Sequence, residues 1–148
     1  MSPRRVVATG TFDILHPGHL FYLEESKKLG DELWVIVARD TNVKHKPRPI
    51  IPEEHRLRMV TGLKTVDHAI LGDKTDMFLP IEEIHPDIIT IGFNQMFDEA
   101  KLTEQLRARN LNPRIVRIGR YADGDLCSSR LVVQRIIDKR AHDPHRPQ

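Results

Sequence analysis

At 148 residues the chain is the size of one domain and can bury a single hydrophobic core. Its 23 basic and 21 acidic residues leave a formal net charge of +2 and are interspersed, which excludes the one-signed stripe of a nucleic-acid scaffold. Cys127 is the only cysteine and the first residues lack the apolar core of a signal peptide. No stretch reaches the ~18 consecutive apolar residues of a membrane span, so a cytoplasmic protein without a membrane partner is expected.

Arg4 to Gly10 is a β-branched run ending in glycine and predicts a first strand. A helix with Leu20 and Leu23 on one face follows, with Gly30 expected to cap its end. Leu33 to Ala38 is wholly apolar, as in a parallel strand covered on both faces. After a basic, proline-rich loop, Pro52-Glu53-Glu54 opens a helix whose inner side is Leu57, Val60 and Leu63. A third strand spans His68 to Leu71. The alternation continues with a helical turn at Ile81 to Ile84, a strand at Asp87 to Gly92, a helix at Phe97 to Arg109 and a strand at Arg114 to Ile118. A last helix from Ser128 through Lys139 is expected to turn Leu131, Val132 and Ile136 inward. Strands alternating with helices imply a single α/β domain over residues 1–140. Its expected architecture is Rossmann-like, a parallel five-stranded sheet with helices on both faces and ligands at the carboxyl ends of the strands. The tail 141–148 has no large apolar residue and is expected to be disordered.

The most informative stretch is Gly10-Thr11-Phe12-Asp13-Ile14-Leu15-His16-Pro17-Gly18-His19, where a strand hands over to a helix. His16 and His19 lie about one helical turn apart, so both imidazoles can face one ligand beside the free N–H groups of a helix start, which favour an anion. The rival reading is a surface turn with two solvated histidines. A zinc pair lacks further ligands, and a Gly-x-Gly-x-x-Gly dinucleotide loop is absent, so phosphate handling is the chemistry that fits.

GTFDILHPGH resembles the signature of the cytidylyltransferase-like nucleotidyltransferase superfamily, whose His-x-Gly-His element binds a triphosphate. The resemblance implies that His16 and His19 stabilise charge on the α-phosphate while an acceptor phosphate attacks and pyrophosphate leaves, with no protein nucleophile. Lys44 and Lys46 resemble the family's basic residues that meet the acceptor phosphate or the departing phosphates, and Glu54 and Arg56 its acidic-basic helix start, with the arginine toward the substrates. Arg120 with Ser128-Ser129 resembles a second signature, an arginine followed by a Ser/Thr pair at a helix N-terminus that reaches the triphosphate.

Across its length the chain is most similar to the archaeal FAD synthetase group, through Gly92-Phe93-Asn94-Gln95, Phe97-Asp98-Glu99 and Leu126-Cys127-Ser128-Ser129. By that resemblance ATP and FMN are the partners, and Thr11, Phe12, His16, Pro17, Gly18, His19, Asn94, Tyr121 and Ser129 contact ATP. A divalent cation such as Mg²⁺ bridges the triphosphate, with Asp13 touching it through water and no dedicated metal cage. The alternatives are a glycerol-3-phosphate cytidylyltransferase and a non-catalytic nucleotide-sensing module. With one Trp, two Tyr and five Phe, few rings are available to stack on a flavin, the candidates being Tyr22, Phe78, Phe93, Phe97 and Tyr121. Trp34 is expected to be buried, and Cys127 reads better as a small hydrophobe than as a reactive thiol. Relatives of this size are often dimers, so a homodimer is one expectation.

Overall fold

A computed structural model describes residues 2–44, 47–121 and 126–145. Five strands, β1 (Arg5–Gly10), β2 (Glu32–Val37), β3 (His68–Leu71), β4 (Ile88–Ile91) and β5 (Arg114–Arg117), form one parallel sheet in the order β3-β2-β1-β4-β5. The chain builds outward from β1 to β3, then crosses back to lay β4 on the other side of β1. The carboxyl ends of β1 and β4 therefore flank the switch point, where ligands of such sheets bind.

Alternation along the strands distributes the core. Val6, Ala8, Leu33, Val35 and Val37 face helices α1 (Pro17–Lys27) and α2 (Glu53–Thr61), where Leu23 and Val60 are fully buried. Val7, Ile36, Ile89 and Ile91 face the opposite side, covered by Phe78, Ile81 and Ile84 around α3 (Leu79–Ile84) and by Leu102 and Leu106 of α4 (Glu99–Arg107). The sheet is thus covered on both faces, as the unbroken apolar run of β2 requires.

Three expectations about packing differ. Leu20 is 41% exposed, because it lies one helical turn before the buried Leu23 and past the edge of the sheet. Gly30 is not the cap of α1, whose C-cap is Lys28; a Cβ on Gly30 would lie 2.7 Å from the Arg4 carbonyl oxygen, so this glycine permits close approach to β1. Helix α5 (Ser129–Arg140) buries none of its residues: Leu131 and Val132 are half-buried and Ile136 is 52% exposed. Its apolar stripe lies at the margin of the core, and its start is fixed by polar contacts instead. Beyond it, Asp143 accepts from Arg140 Nη1 at 2.9 Å and from the His145 N–H at 2.8 Å, while the rest of the tail, 146–148, lies outside the described residues.

A buried polar network joins α1 to the sheet directly beneath the switch point. The Tyr22 hydroxyl donates to the Thr90 carbonyl at 2.9 Å and accepts from the Thr9 N–H at 3.3 Å, and the Ser26 and Thr90 hydroxyls meet at 2.8 Å. Burial pushes the Tyr22 phenol up to about 12. Tyr22→Phe leaves the Thr9 donor unpaired and is expected to cost about 1–2 kcal/mol in chemical denaturation, with the phenol titration near pH 12 absent from the variant.

Candidate active site at the switch point

The β1 strand ends in a turn that its own residues shape. Phe12 takes a left-handed backbone conformation (φ 54°), a strained state for a bulky residue, and its ring is buried against the edge of His19 with centroids 5.3 Å apart. A Cβ on Gly10 would lie 2.8 Å from that ring, so the glycine is what lets Phe12 fold back and Thr11 face the edge of the sheet.

His16 caps α1. Its Nδ1 accepts from the Gly18 N–H at 3.1 Å and the His19 N–H at 3.4 Å, and Pro17 occupies the first turn, where its missing N–H costs nothing. An Nδ1 that accepts leaves the proton on Nε2, a tautomer assigned from the hydrogen bonds. Partial burial lowers the His16 pKa below its ordinary 6.5, so the ring is neutral and Nε2–H is a donor at neutral pH. The two imidazoles stack with centroids 3.7 Å apart.

The second signature is folded onto the first. A Cβ on Gly18 would lie 2.9 Å from the Cys127 carbonyl oxygen, so the approach to α5 runs directly over the start of α1. Ser128 caps α5 by accepting from the Leu131 N–H at 3.2 Å, and the Ser129 hydroxyl lies 3.3 Å from both the N–H and the carbonyl of Ile14. Two helix N-termini of eleven and twelve residues therefore converge beside Gly18, and the positive ends of their dipoles favour one polyanion between them. Cys127 itself is half-buried there.

The outer parts of the edge are more open. Asn94 is exposed in the connection after β4, and its neighbour Gln95 is locked: the Gln95 amide donates to the Thr9 carbonyl at 3.1 Å and accepts from the Gly92 N–H at 2.7 Å. Arg120, exposed beyond β5, holds its guanidinium 5.9 Å from the Phe93 ring centroid. Tyr121 lies against Phe21 of α1, with ring centroids 5.3 Å apart. Lys44 is exposed in the basic loop, and Lys46 lies outside the described residues.

Arg56 differs from its expected place. It is 1% exposed and directed inward, with Nη1 donating to the Thr11 carbonyl at 2.6 Å, Nε to the Ile51 carbonyl at 2.8 Å and Nη2 to Asp40 at 2.6 Å. A guanidinium so placed ties the β1 turn to the basic loop from inside the fold rather than facing outward. Glu54, expected beside it, is exposed, whereas Glu53 accepts from Arg39 at 2.9 Å and from the Asp40 N–H at 3.0 Å. Asp13 accepts from the Ile50 and Ile51 N–H groups at 3.0 and 2.9 Å, one bond on each carboxylate oxygen. These anchors join residues 13, 40, 53 and 56 across long stretches of chain; the sequence marks Asp13 through the motif and Glu53 and Arg56 through the helix start, but carries no local signal of which partners they meet.

The cytidylyltransferase-like family profile matches residues 7–135. The chain belongs to that family. It is 69% identical over 146 residues to the FAD synthase of Methanoregula boonei, covering 99% of both chains, and 74% identical over 137 residues to the FAD synthase of Methanosphaerula palustris, covering 93% and 90%. A solved structure from Thermoplasma volcanium, described as a lipopolysaccharide core biosynthesis protein, is 50% identical with a TM-score of 0.79, over 82% of this chain and 100% of that one. As a member of the cytidylyltransferase-like family, the chain joins its two signatures at the converging starts of α1 and α5.

Two tests follow from this cytidylyltransferase-like site. Between the lowered folded-state pKa of His16 and the ordinary 6.5, the unfolded chain binds more protons, so this residue's contribution to stability is complete above pH 6.5 and falls as pH drops through that window. His16→Asn keeps a capping oxygen and is expected to hold stability within about 0.5 kcal/mol while removing that pH dependence in urea titrations. Arg56→Met strips the Thr11 and Ile51 carbonyls and Asp40 of their shared donor; equilibrium unfolding is expected to register a loss of about 2–4 kcal/mol.

Proposed function

We propose that the chain makes FAD, transferring AMP from ATP to FMN with release of pyrophosphate. The observation that carries this reading is near-full-length identity of 69% and 74% to two proteins named FAD synthase, together with a family signature whose parts meet at one anion-favouring edge. In the reaction a phosphate oxygen of FMN attacks the α-phosphorus of ATP, the bond to the bridging oxygen of pyrophosphate breaks, and the new phosphoanhydride is FAD. No covalent intermediate with the protein is needed. The work left to the chain is positioning and charge stabilisation.

The triphosphate lies across the starts of α1 and α5, where Gly18 gives the backbone room and Thr11, Phe12, Pro17 and Ser129 line the approach. The neutral His16 donates from Nε2 to an α-phosphate oxygen, a donor oriented before substrate arrives because Nδ1 is already bonded to the helix. His19, stacked on His16, and Ser128 act on the same phosphates, while Arg120 offsets the charge of the departing pyrophosphate. Asn94 and Tyr121 contact the nucleoside, and Lys44 and Lys46 receive the FMN phosphate from the opposite side. Arg56 serves as a positioning residue.

A divalent cation belongs to this reaction as a counter-charge on ATP. Among the described residues no group of three His, Cys, Asp or Glu side chains lies together; the ion would be carried by the nucleotide's own phosphates, with Asp13 reaching it through water. No helix among the described residues is long and apolar enough to cross a membrane, and a single cysteine suits a reducing cytoplasm, where we place the reaction.

Purified protein incubated with Mg²⁺ and ATP or CTP, crossed with FMN or glycerol 3-phosphate, is expected to release pyrophosphate only from ATP with FMN and to yield FAD on chromatography. CDP-glycerol from CTP would move the chain to the alternative acceptor. His16→Asn, folded as above, is expected to lower turnover by about a hundredfold, the loss of one preorganised donor.

A further inference from the structure

Most of the chain's large rings are spent on packing. Trp34, half-buried in β2, lies against His68 with centroids 4.1 Å apart; Phe12 and Phe78 are buried, and the Tyr22 hydroxyl is bonded under the sheet. The carboxyl edge nevertheless carries a groove of about 290 Å³ between the β3–α3 connection and the first turns of α4. Met77, Met96, Phe97 and Leu102 form its apolar wall, and Lys101 and Gln105 add polar groups.

The two methionines stand out because their backbones are clamped while their side chains are left in solvent. Met77 is 50% exposed, yet the preceding Asp76 carboxylate accepts from the Phe78 N–H at 3.0 Å and from Arg109 at 2.8 Å, and the same guanidinium covers the buried Phe78 ring at 4.9 Å. Met96 is 100% exposed, yet Arg117 donates to the carbonyls of Gly92, Gln95 and Phe97 at 3.0, 3.0 and 3.1 Å, gripping the backbone on both sides of it. With Phe97 between them in the groove lining, these two side chains form a contiguous exposed apolar patch rather than scattered surface residues, the arrangement that marks a contact surface.

We propose that this groove takes the isoalloxazine ring of FMN; the inference rests on the FAD-forming reading above and adds the place of the acceptor's ring. A flat, polarisable ring system matches thioether sulfurs and the Phe97 ring, which favour aromatic partners. Its pyrimidine edge carries two carbonyl acceptors and an N–H donor, which the Lys101 ammonium and the Gln105 amide complement. Binding pockets start near about 300 Å³, so the groove suits one ring system and not a whole dinucleotide. Gln95, the residue before Met96, donates to the Thr9 carbonyl at 3.1 Å, which ties the connection that forms the groove's wall to the carboxyl end of β1.

The test uses FMN fluorescence quenching for binding and FAD formation for turnover, on the full chain and on Met77→Ser/Met96→Ser and Phe97→Ala. Two sulfur–aromatic contacts are together worth about a tenfold change in affinity, so the FMN Kd and KM are expected to rise about that much in the double variant, with the ATP KM unchanged. Lumiflavin, the ring without the ribityl phosphate, is expected to displace FMN from the wild type and to bind more weakly to the variants. FAD formation with unchanged FMN and lumiflavin affinity in the variants would overturn the groove and leave the proposed reaction standing. Flavin binding that the variants weaken, without FAD formation by the wild type, would uphold the groove and overturn the reaction. Neither binding nor FAD would overturn both.

Discussion

Arg56 reaches from α2 into the one place where the β1 turn, the basic loop and the start of its own helix lie within reach of a single side chain. Burying a guanidinium is costly unless it is paired and hydrogen-bonded, and here each of its three nitrogens has a partner: two donate to main-chain carbonyls and the third to Asp40, itself held by Glu53. Asp13 completes the tie from the other direction by accepting from Ile50 and Ile51. A loop running from Arg39 to Pro52 with little regular structure would otherwise take up many positions. At Asp40 on one side and at Ile50 and Ile51 on the other, the described ends of that loop are tied to the turn that follows β1.

Preorganisation extends to the proton positions. The bond that caps α1 also decides which His16 nitrogen carries hydrogen, so helix geometry and tautomer are one constraint. Protonation at Nδ1 would remove the acceptor for Gly18 and His19, which opposes charging in the same direction as burial does. Phe12 bears the local cost of this arrangement in its left-handed backbone, offset by the burial of its ring against His19.

The strands and the order of elements were legible because each is a short run with an apolar centre bounded by turn residues, and His68 to Leu71 matches β3 to the residue. The signature stretch was legible because its chemistry is local: two histidines and a glycine in one turn. The apolar stripe of α5 misled because 3.6-residue spacing says which side chains share a face and not whether a partner covers it; Ile136 has the spacing of a core residue and none of the cover. Arg56 misled for the opposite reason. A basic residue at a helix start reads as a surface charge or a ligand contact, and only the tertiary path of residues 11, 40 and 51 reveals three partners waiting around it.

The two ends of the site are consequently fixed by different physics. Helix α1 is anchored by Leu23, Ser26 and Tyr22 in a buried network under β1 and β4, so the His16 end inherits the rigidity of the sheet. Helix α5 buries nothing, so the position of its N-terminus depends on Ser129 at Ile14 and on the close pass of Cys127 over Gly18. Because those contacts are made to the start of α1 itself, α5 is registered against the histidines and not against the core. The bonds of Ser129 to Ile14 and the close pass of Cys127 over Gly18 thus couple the start of α5 to the turn that carries the two histidines.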